Sequence, residues 1–269
     1  RDDLSVRAAM SDADVVVICV GIMVNDGKNR FDPVHAQGAA RIGRLSKEMG
    51  VGRVVQISAI GADADSDSAY LTSKAEGEIE LLKERPDAVI LRPSVMFGPH
   101  GGIYDRMAGT GLGWVMPITG AKSKMQPVYV DDVAQAAELA VLGDVAPGIY
   151  ELGGPDVKAI REMADETLAA TMRRRMVVNL PFWLSGLVAG ALDIGSMLTG
   201  GLFTNRMLTR DQVKMLRGDN VVAEDAKGFA DLGIEPVPPG AVINEYLWRF
   251  RPSGQYAEMT ASAKNMRAR

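Results

Sequence analysis

Cysteine occurs once, at Cys19, and histidine only twice, at His35 and His100. A single thiol excludes an internal disulfide framework and fits a reducing compartment. The two histidines are far apart, and no cysteine or carboxylate cluster surrounds either, so no metal site is expected. A positive balance is also missing. The formal net charge is -4, which excludes a global attraction to nucleic acid, and no nucleic-acid partner is expected. No run of about twenty uncharged apolar residues occurs, so no transmembrane helix is expected. The nearest approach, Phe182 to Phe203, carries Asp193 near its middle and is punctuated by Gly186, Gly190, Gly195, Gly200 and Gly201. What is present is material for a core. A chain of 269 residues, 47% of them hydrophobic, suffices for one large domain or a domain with an appendage.

Strands and helices alternate through the first part. Val15 to Val20 is a near-continuous apolar run, the pattern of a strand buried on both faces. Asp32-Pro33 predicts a helix opening there, with Asp32 as N-cap. Ile42, Leu45 and Met49 give that helix its apolar stripe, and Gly50 ends it. Val54, Val55 and Ile57 form the next strand. Tyr70 to Glu84 is the next helix, read with Ala75, Ile79 and Leu82 inward and Glu76, Glu78 and Glu80 outward. Ala88 to Leu91 is a third strand, Asp131 caps a helix through Leu142, and Ile149 to Leu152 is a further short strand. This rhythm predicts an α/β fold, a Rossmann-type doubly wound parallel sheet with helices on both faces.

A Rossmann sheet binds its nucleotide beside its first strand, where the strand order reverses. Three strands and two helices occupy roughly 60 residues, and no segment of that kind precedes Val15. The sequence therefore predicts that the N-terminal strands and the glycine-rich phosphate loop lie in a segment before Arg1. The expected organisation is an N-terminally incomplete Rossmann domain over 1–152, a smaller, mostly helical region over 153–248 and an extended basic tail over 249–269. Within the second region Val157 to Thr171 reads as helical and Met176 to Leu180 as extended. Arg249, Arg251, Lys264, Arg267 and Arg269 against Glu258 make the tail basic.

The sharpest constellation is Ser58 at a strand end with Tyr70 and Lys74 at the start of the next helix. Tyr70 and Lys74 are four apart, so they share a helix face and can point into one cleft. A lysine ammonium stabilises a tyrosinate and lowers the phenol pKa. The phenol can then exchange a proton with a carbonyl or alcohol while a nicotinamide exchanges hydride. An ordinary helix can carry Tyr and Lys at this spacing. Their place after a buried strand ending in Ser favours a cofactor site. Cys19, inside its apolar strand, reads as a small core residue and not as a nucleophile.

The segments "VVQISAIGAD", "YLTSKAEGE", "LRPSVMFGP" and "QPVYVDDVAQA" resemble the extended or atypical branch of the short-chain dehydrogenases/reductases. The resemblance implies NAD(H) or NADP(H) in the Rossmann domain. It places Cys19, Val20 and Gly21 along the cofactor and Pro93, Ser94 and Val95 over the nicotinamide end, with Ser58, Tyr70 and Lys74 completing the cofactor set. Within that branch, "RLSKEMGVGRVVQISAIGA", "QPVYVDDVA", "LTRDQVKML" and "DLGIEP", in this order, are similar to the NAD(P)H-binding accessory subunits of respiratory complex I. That narrower likeness implies a bound dinucleotide with no established turnover, and the other subunits of the complex as partners. It also implies a peripheral place on the inner membrane, on the cytoplasmic face in an α-proteobacterium or the matrix face in a mitochondrion. The alternative is a free NAD(P)-dependent reductase or epimerase, in which Ser58, Tyr70 and Lys74 would be catalytic. The stretch from Phe182 to Phe203, with Arg173 to Arg175 before it and Arg206 after it, reads as core helix, partner-binding helix or a helix on anionic lipid head groups.

Overall fold

The computed structural model describes residues 2–110, 113–198, 205, 208–257, 259, 260 and 262. Helix α1 (Asp3–Ala9) leads into strand β1 (Val15–Ile18), helices α2 (Phe31–Val34) and α3 (Ala36–Glu48), strand β2 (Arg53–Ile57), helix α4 (Ala69–Glu84) and strand β3 (Val89–Pro93). There follow β4 (Met96–Gly98), β5 (Gly101–Gly102), α5 (Ile103–Gly109), β6 (Val115–Thr119), β7 (Lys124–Met125), β8 (Val128–Tyr129), α6 (Val130–Leu142) and β9 (Gly148–Leu152). The chain continues with β10 (Lys158–Ala159), α7 (Ile160–Ala170), β11 (Met176–Leu180), α8 (Phe182–Leu198), α9 (Arg210–Met215) and α10 (Pro239–Leu247).

The main sheet is parallel, in the order β1-β2-β3-β9. Alternate residues of its strands feed two cores. Ile18, Val54 and Ala88 pack under α3 and α4 with Ala39 and Leu81, whereas Val55, Val89 and Leu91 pack under α6 with Val133, Ala136 and Ala140. This is the two-faced α/β architecture expected from the strand and helix rhythm. Strand β1 departs from its sequence pattern. It reads as buried on both faces, yet Val17 is 40% exposed, because β1 lies at the sheet edge with no outer strand among the described residues. Gly50 takes φ 72° just past the end of α3, the left-handed position that lets the chain turn back into β2.

Two expected caps are corrected. Helix α2 begins at Phe31, whose N–H donates to Asn25 Oδ1 at 2.8 Å; the Asp32 carboxylate instead accepts from Gln37 Nε2 at 2.7 Å. Helix α6 begins at Val130, so Asp131 lies in its first turn. Asp132 beside it is buried and accepts the Val237 N–H at 2.8 Å, which ties the C-terminal segment to the sheet domain. The facing of α4 is also corrected. Glu78 is 3% exposed and Ile79 is 46% exposed, the reverse of the expected arrangement. The helix turns its Ser73, Lys74, Gly77, Glu78 stripe towards the sheet, and polar partners on β2 and β3 meet it there.

A third core joins sequence-distant segments. Phe97, Tyr104, Met107 and Met116 pack with Met163, Val177 and Leu247. Strand β11 runs parallel to β6, Met176 opposite Val115 and Leu180 opposite Thr119. Helix α8 buries Ser185 and Ala189, with Ser185 Oγ 2.8 Å from Thr119 Oγ1, and turns Trp183 (66% exposed) and Leu187 (62% exposed) outward. None of the helices of the described residues is long and apolar enough to cross a membrane. Residues 199–203, the end of the expected stretch, and Arg206, expected to flank it, lie outside the described residues, as do Glu258, Lys264, Arg267 and Arg269 of the tail. Where the tail was expected to be extended, it turns through 3-10 segments at Trp248–Phe250 and Gly254–Tyr256. Arg249 and Arg251 anchor it, donating to Pro99 O at 2.9 Å and Ala170 O at 2.9 Å.

Candidate functional site

The carboxyl ends of β1, β2 and β3 carry the segments singled out from sequence: Cys19, Val20 and Gly21 follow β1, Ser58 follows β2, and Ser94 and Val95 follow Pro93 of β3. Open parallel sheets bind ligands along this edge. Helix α4 brings Tyr70 and Lys74 to it. Ser68 caps α4 by accepting the Leu71 N–H, and Asp211 of α9 accepts the Ala69 N–H at 2.8 Å and the Tyr70 N–H at 3.2 Å. These contacts supply acceptors for donors that a helix start leaves unmatched.

Lys74 is buried, and its Nζ donates to Ile57 O at 2.8 Å. Burial pushes the ammonium down to about 8, against the opposing pull of Glu78 and Cys19. Burial pushes the Tyr70 phenol up to about 12, opposite to the lowering that a lysine-activated tyrosine requires. The Ser58 hydroxyl is buried and donates to Glu78 Oε1. Glu78 in turn accepts from Arg92 Nε at 3.0 Å and Nη2 at 2.6 Å, and Arg92 reaches Glu151 at 3.5 Å. Ser58 thus faces an internal ion pair. Cys19 is exposed, not a core residue, because β1 ends at Ile18. The turn after β3 is held from the far end of the chain: Ser94 Oγ donates to Asn220 Oδ1 at 2.6 Å, Val95 N–H donates to the same atom at 3.2 Å, and Asn220 Nδ2 donates to Ile60 O at 3.3 Å.

Sequence reasoning missed four residues that shape this edge: His35, Glu78, Arg92 and Asn220. His35 is buried, with its Nε2 accepting the Ile22 N–H at 3.0 Å and its Nδ1 lying 2.8 Å from Ser73 Oγ. Ser73 Oγ donates onward to Tyr70 O at 2.8 Å, which leaves its lone pairs for a proton on Nδ1. The ring also packs between Phe31 and Tyr70, with centroids 5.8 Å from each. A lone histidine carries no sequence signal for this role. Glu78 did carry one, since it sits four residues after Lys74 on the same helix face. Among the described residues no group of three metal-ligating side chains occurs.

This architecture is a Rossmann-type fold, and comparison with solved structures agrees. A protein crystallised as gox2253 superimposes with TM-score 0.67 at 18% identity, over 94% of this chain and 83% of its own. A dTDP-glucose 4,6-dehydratase from Bacillus anthracis, solved in complex with NAD, superimposes with TM-score 0.65 at 15% identity, over 91% and 76%. No family model matches the sequence. Among curated relatives, NADH dehydrogenase [ubiquinone] 1 alpha subcomplex subunit 9, mitochondrial, of Arabidopsis thaliana is 32% identical over 98% of this chain and 67% of its own length. The NADH-ubiquinone oxidoreductase 40 kDa subunit, mitochondrial, of Neurospora crassa is 28% identical over 99% and 69%. The chain belongs to the family of these NADH dehydrogenase [ubiquinone] 1 alpha subcomplex subunit 9 proteins, and it spans about two thirds of the length of these two relatives.

Proposed function

We propose that the chain is a nucleotide-binding accessory subunit of a respiratory NADH:ubiquinone oxidoreductase, and that its sheet edge helps retain NADP(H) or NAD(H) without turnover. The observation that carries this reading is the likeness along 98% of the chain to a relative named as a subunit of that complex. The donor set fits a dinucleotide. Cys19, Val20 and Gly21 supply open backbone beside the sheet, Lys74 a cation for ribose hydroxyls, and Pro93, Ser94 and Val95 a braced turn for the nicotinamide end. A bound nicotinamide supplies hydride chemistry. Burial holds the phenol that would move the proton, Tyr70, up at about 12, and the Ser58 hydroxyl is bonded to Glu78, which supports retention over catalysis.

Lys74→Ala is expected to weaken nucleotide retention by roughly tenfold to a hundredfold, the worth of one hydrogen bond to a charged group. Tyr70→Phe, which removes only the hydroxyl, is expected to leave assembly and NADH:quinone turnover nearly unchanged. Nucleotide content of the purified full-length variants, together with turnover of the assembled complex, checks both. Wild-type nucleotide content in Lys74→Ala overturns its assignment. A large loss of turnover in a normally assembled Tyr70→Phe complex points to a free reductase-like chemistry at this site.

The partners in this reading are the other subunits of the complex and the lipid surface of the inner membrane, met peripherally from the cytoplasmic or matrix side. The outward Trp183 and Leu187 of α8, with Arg173, Arg174 and Arg175 upstream, support the lipid contact, since aromatic and aliphatic side chains with basic neighbours suit anionic head groups. Burying either side chain is worth roughly 1.5–3 kcal/mol. Trp183→Ser combined with Leu187→Ser is therefore expected to release a folded protein from membranes, with its melting temperature little changed because neither side chain is buried in the fold. Retention of the folded variant in the membrane fraction would sink the assignment of α8.

A further inference from the structure

A cavity of about 400 Å³ lies between the start of α4 and helices α5, α7 and α9, next to the proposed nucleotide edge. Pockets that hold small molecules run from roughly 300 to 1,000 Å³. Its inner wall is apolar and reaches into the third core through Met107, Ile118, Met125, Ile160 and Met163. Methionine side chains are flexible and polarisable, and they adapt to a chain of irregular path.

Several polar groups of the wall are turned to internal partners. Asn220 serves Ser94, Val95 and Ile60. Ser68 Oγ donates to Asp211, and Thr119 meets Ser185. Asp219 accepts the Lys124 N–H, and Lys214 donates to Asp67 O. Such a wall offers few free donors or acceptors to a polyhydroxylated substrate. Of the two cations on the wall, Lys214 and Arg106, Arg106 is the one with no internal partner among the described residues. It is exposed on α5 at the mouth, and its guanidinium forms no hydrogen bond or ion pair among the described residues. Asp67 puts a negative charge on the α4 side of the same mouth, which directs an acidic group towards Arg106.

We infer that this cavity binds a single-chain acidic amphiphile, its hydrocarbon chain among the methionines and its carboxylate or phosphate head at Arg106. The site adjoins the proposed nucleotide edge and shares Val95 with it, but amphiphile binding does not depend on a bound nucleotide. The test titrates the full-length protein with dodecanoate, dodecyl phosphate and dodecanol, followed by displacement of a fluorescent fatty acid, while nucleotide content is measured on the same samples. Saturable binding of at least one acid is expected, tighter than the alcohol. Which acid binds better distinguishes a fatty acid from a phosphate lipid. Arg106→Gln should weaken the preferred acid by on the order of tenfold, the scale of a charge-assisted hydrogen bond, and leave the alcohol unchanged. Met163→Phe should block all probes by filling the chamber. Ile103→Trp does so from the less buried side should Met163→Phe fail to fold. Three results overturn the proposal: no saturable binding to the wild type, equal binding of acid and alcohol, or undiminished binding in a folded filled variant. Loss of nucleotide with amphiphile binding intact counts against the nucleotide reading alone.

Discussion

Glu78→Ala is expected to cost the fold about 3–5 kcal/mol, the range for removing one member of a buried ion pair. Glu78 is buried against β2 and β3, and its carboxylate accepts from Ser58 Oγ and from two guanidinium nitrogens of Arg92. Removing it leaves a largely buried cation whose nearest remaining carboxylate, Glu151, is 3.5 Å away. It also strips the buried Ser58 hydroxyl of its acceptor. Glu78→Gln keeps the shape and one acceptor oxygen and should cost less. The double variant Glu78→Gln, Arg92→Met removes both charges and should recover part of the loss, since an unpaired buried charge costs more than a missing pair. Urea unfolding of the three variants measures this. A loss below about 1 kcal/mol in Glu78→Ala, the scale of an exposed ion pair, would remove the network from the account of stability. The network also ties Ser58 and the middle of α4 to β3, so partial unfolding there should release nucleotide before the rest of the domain melts.

The main strands and α4 were legible because burial imposes a period on them. Val54, Val55 and Ile57 on β2 follow from a short apolar run, and the Tyr70-Lys74 step on α4 from helical spacing. What escaped notice was polar and non-local. Glu78 lies between Glu76 and Glu80, and three alternating carboxylates read as a solvated face. Arg92, on the neighbouring strand, reverses that reading only after the helix has docked. Ile79 is turned outward by the same docking. Asn220 bridges Ser94, Val95 and Ile60 across more than a hundred residues of sequence, and no local pattern announces such a bond. The exposure of Val17 is of another kind. Its sequence pattern is that of an interior strand, whereas among the described residues β1 lies at the edge of its sheet.

Stability and nucleotide retention are expected to fall together as the pH drops from about 6.5 towards about 4, through His35. Burial, with a smaller push from the Lys74 ammonium, holds the imidazole at about 4 in the fold, against an ordinary value of 6.5. Between those values the unfolded chain takes up a proton that the fold refuses. The stabilisation is therefore fully present above about pH 6.5 and is lost as the pH falls towards 4. The separation corresponds to about 3 kcal/mol. The geometry says where the damage falls. Nε2 accepts the Ile22 N–H at 3.0 Å, and Nδ1 faces Ser73 Oγ, whose own proton goes to Tyr70 O. A proton on Nε2 would meet the Ile22 N–H head on, so charging the ring detaches the loop after β1 that carries Cys19, Val20 and Gly21. His35→Gln keeps a polar side chain without a titratable ring, and it should flatten the pH dependence over this range while lowering stability at neutral pH. Unfolding free energy and bound nucleotide, measured from pH 7 to pH 4 in both proteins, decide the matter. Equal slopes in wild type and His35→Gln would assign the acid sensitivity to other groups and leave His35 a packing residue beneath the loop.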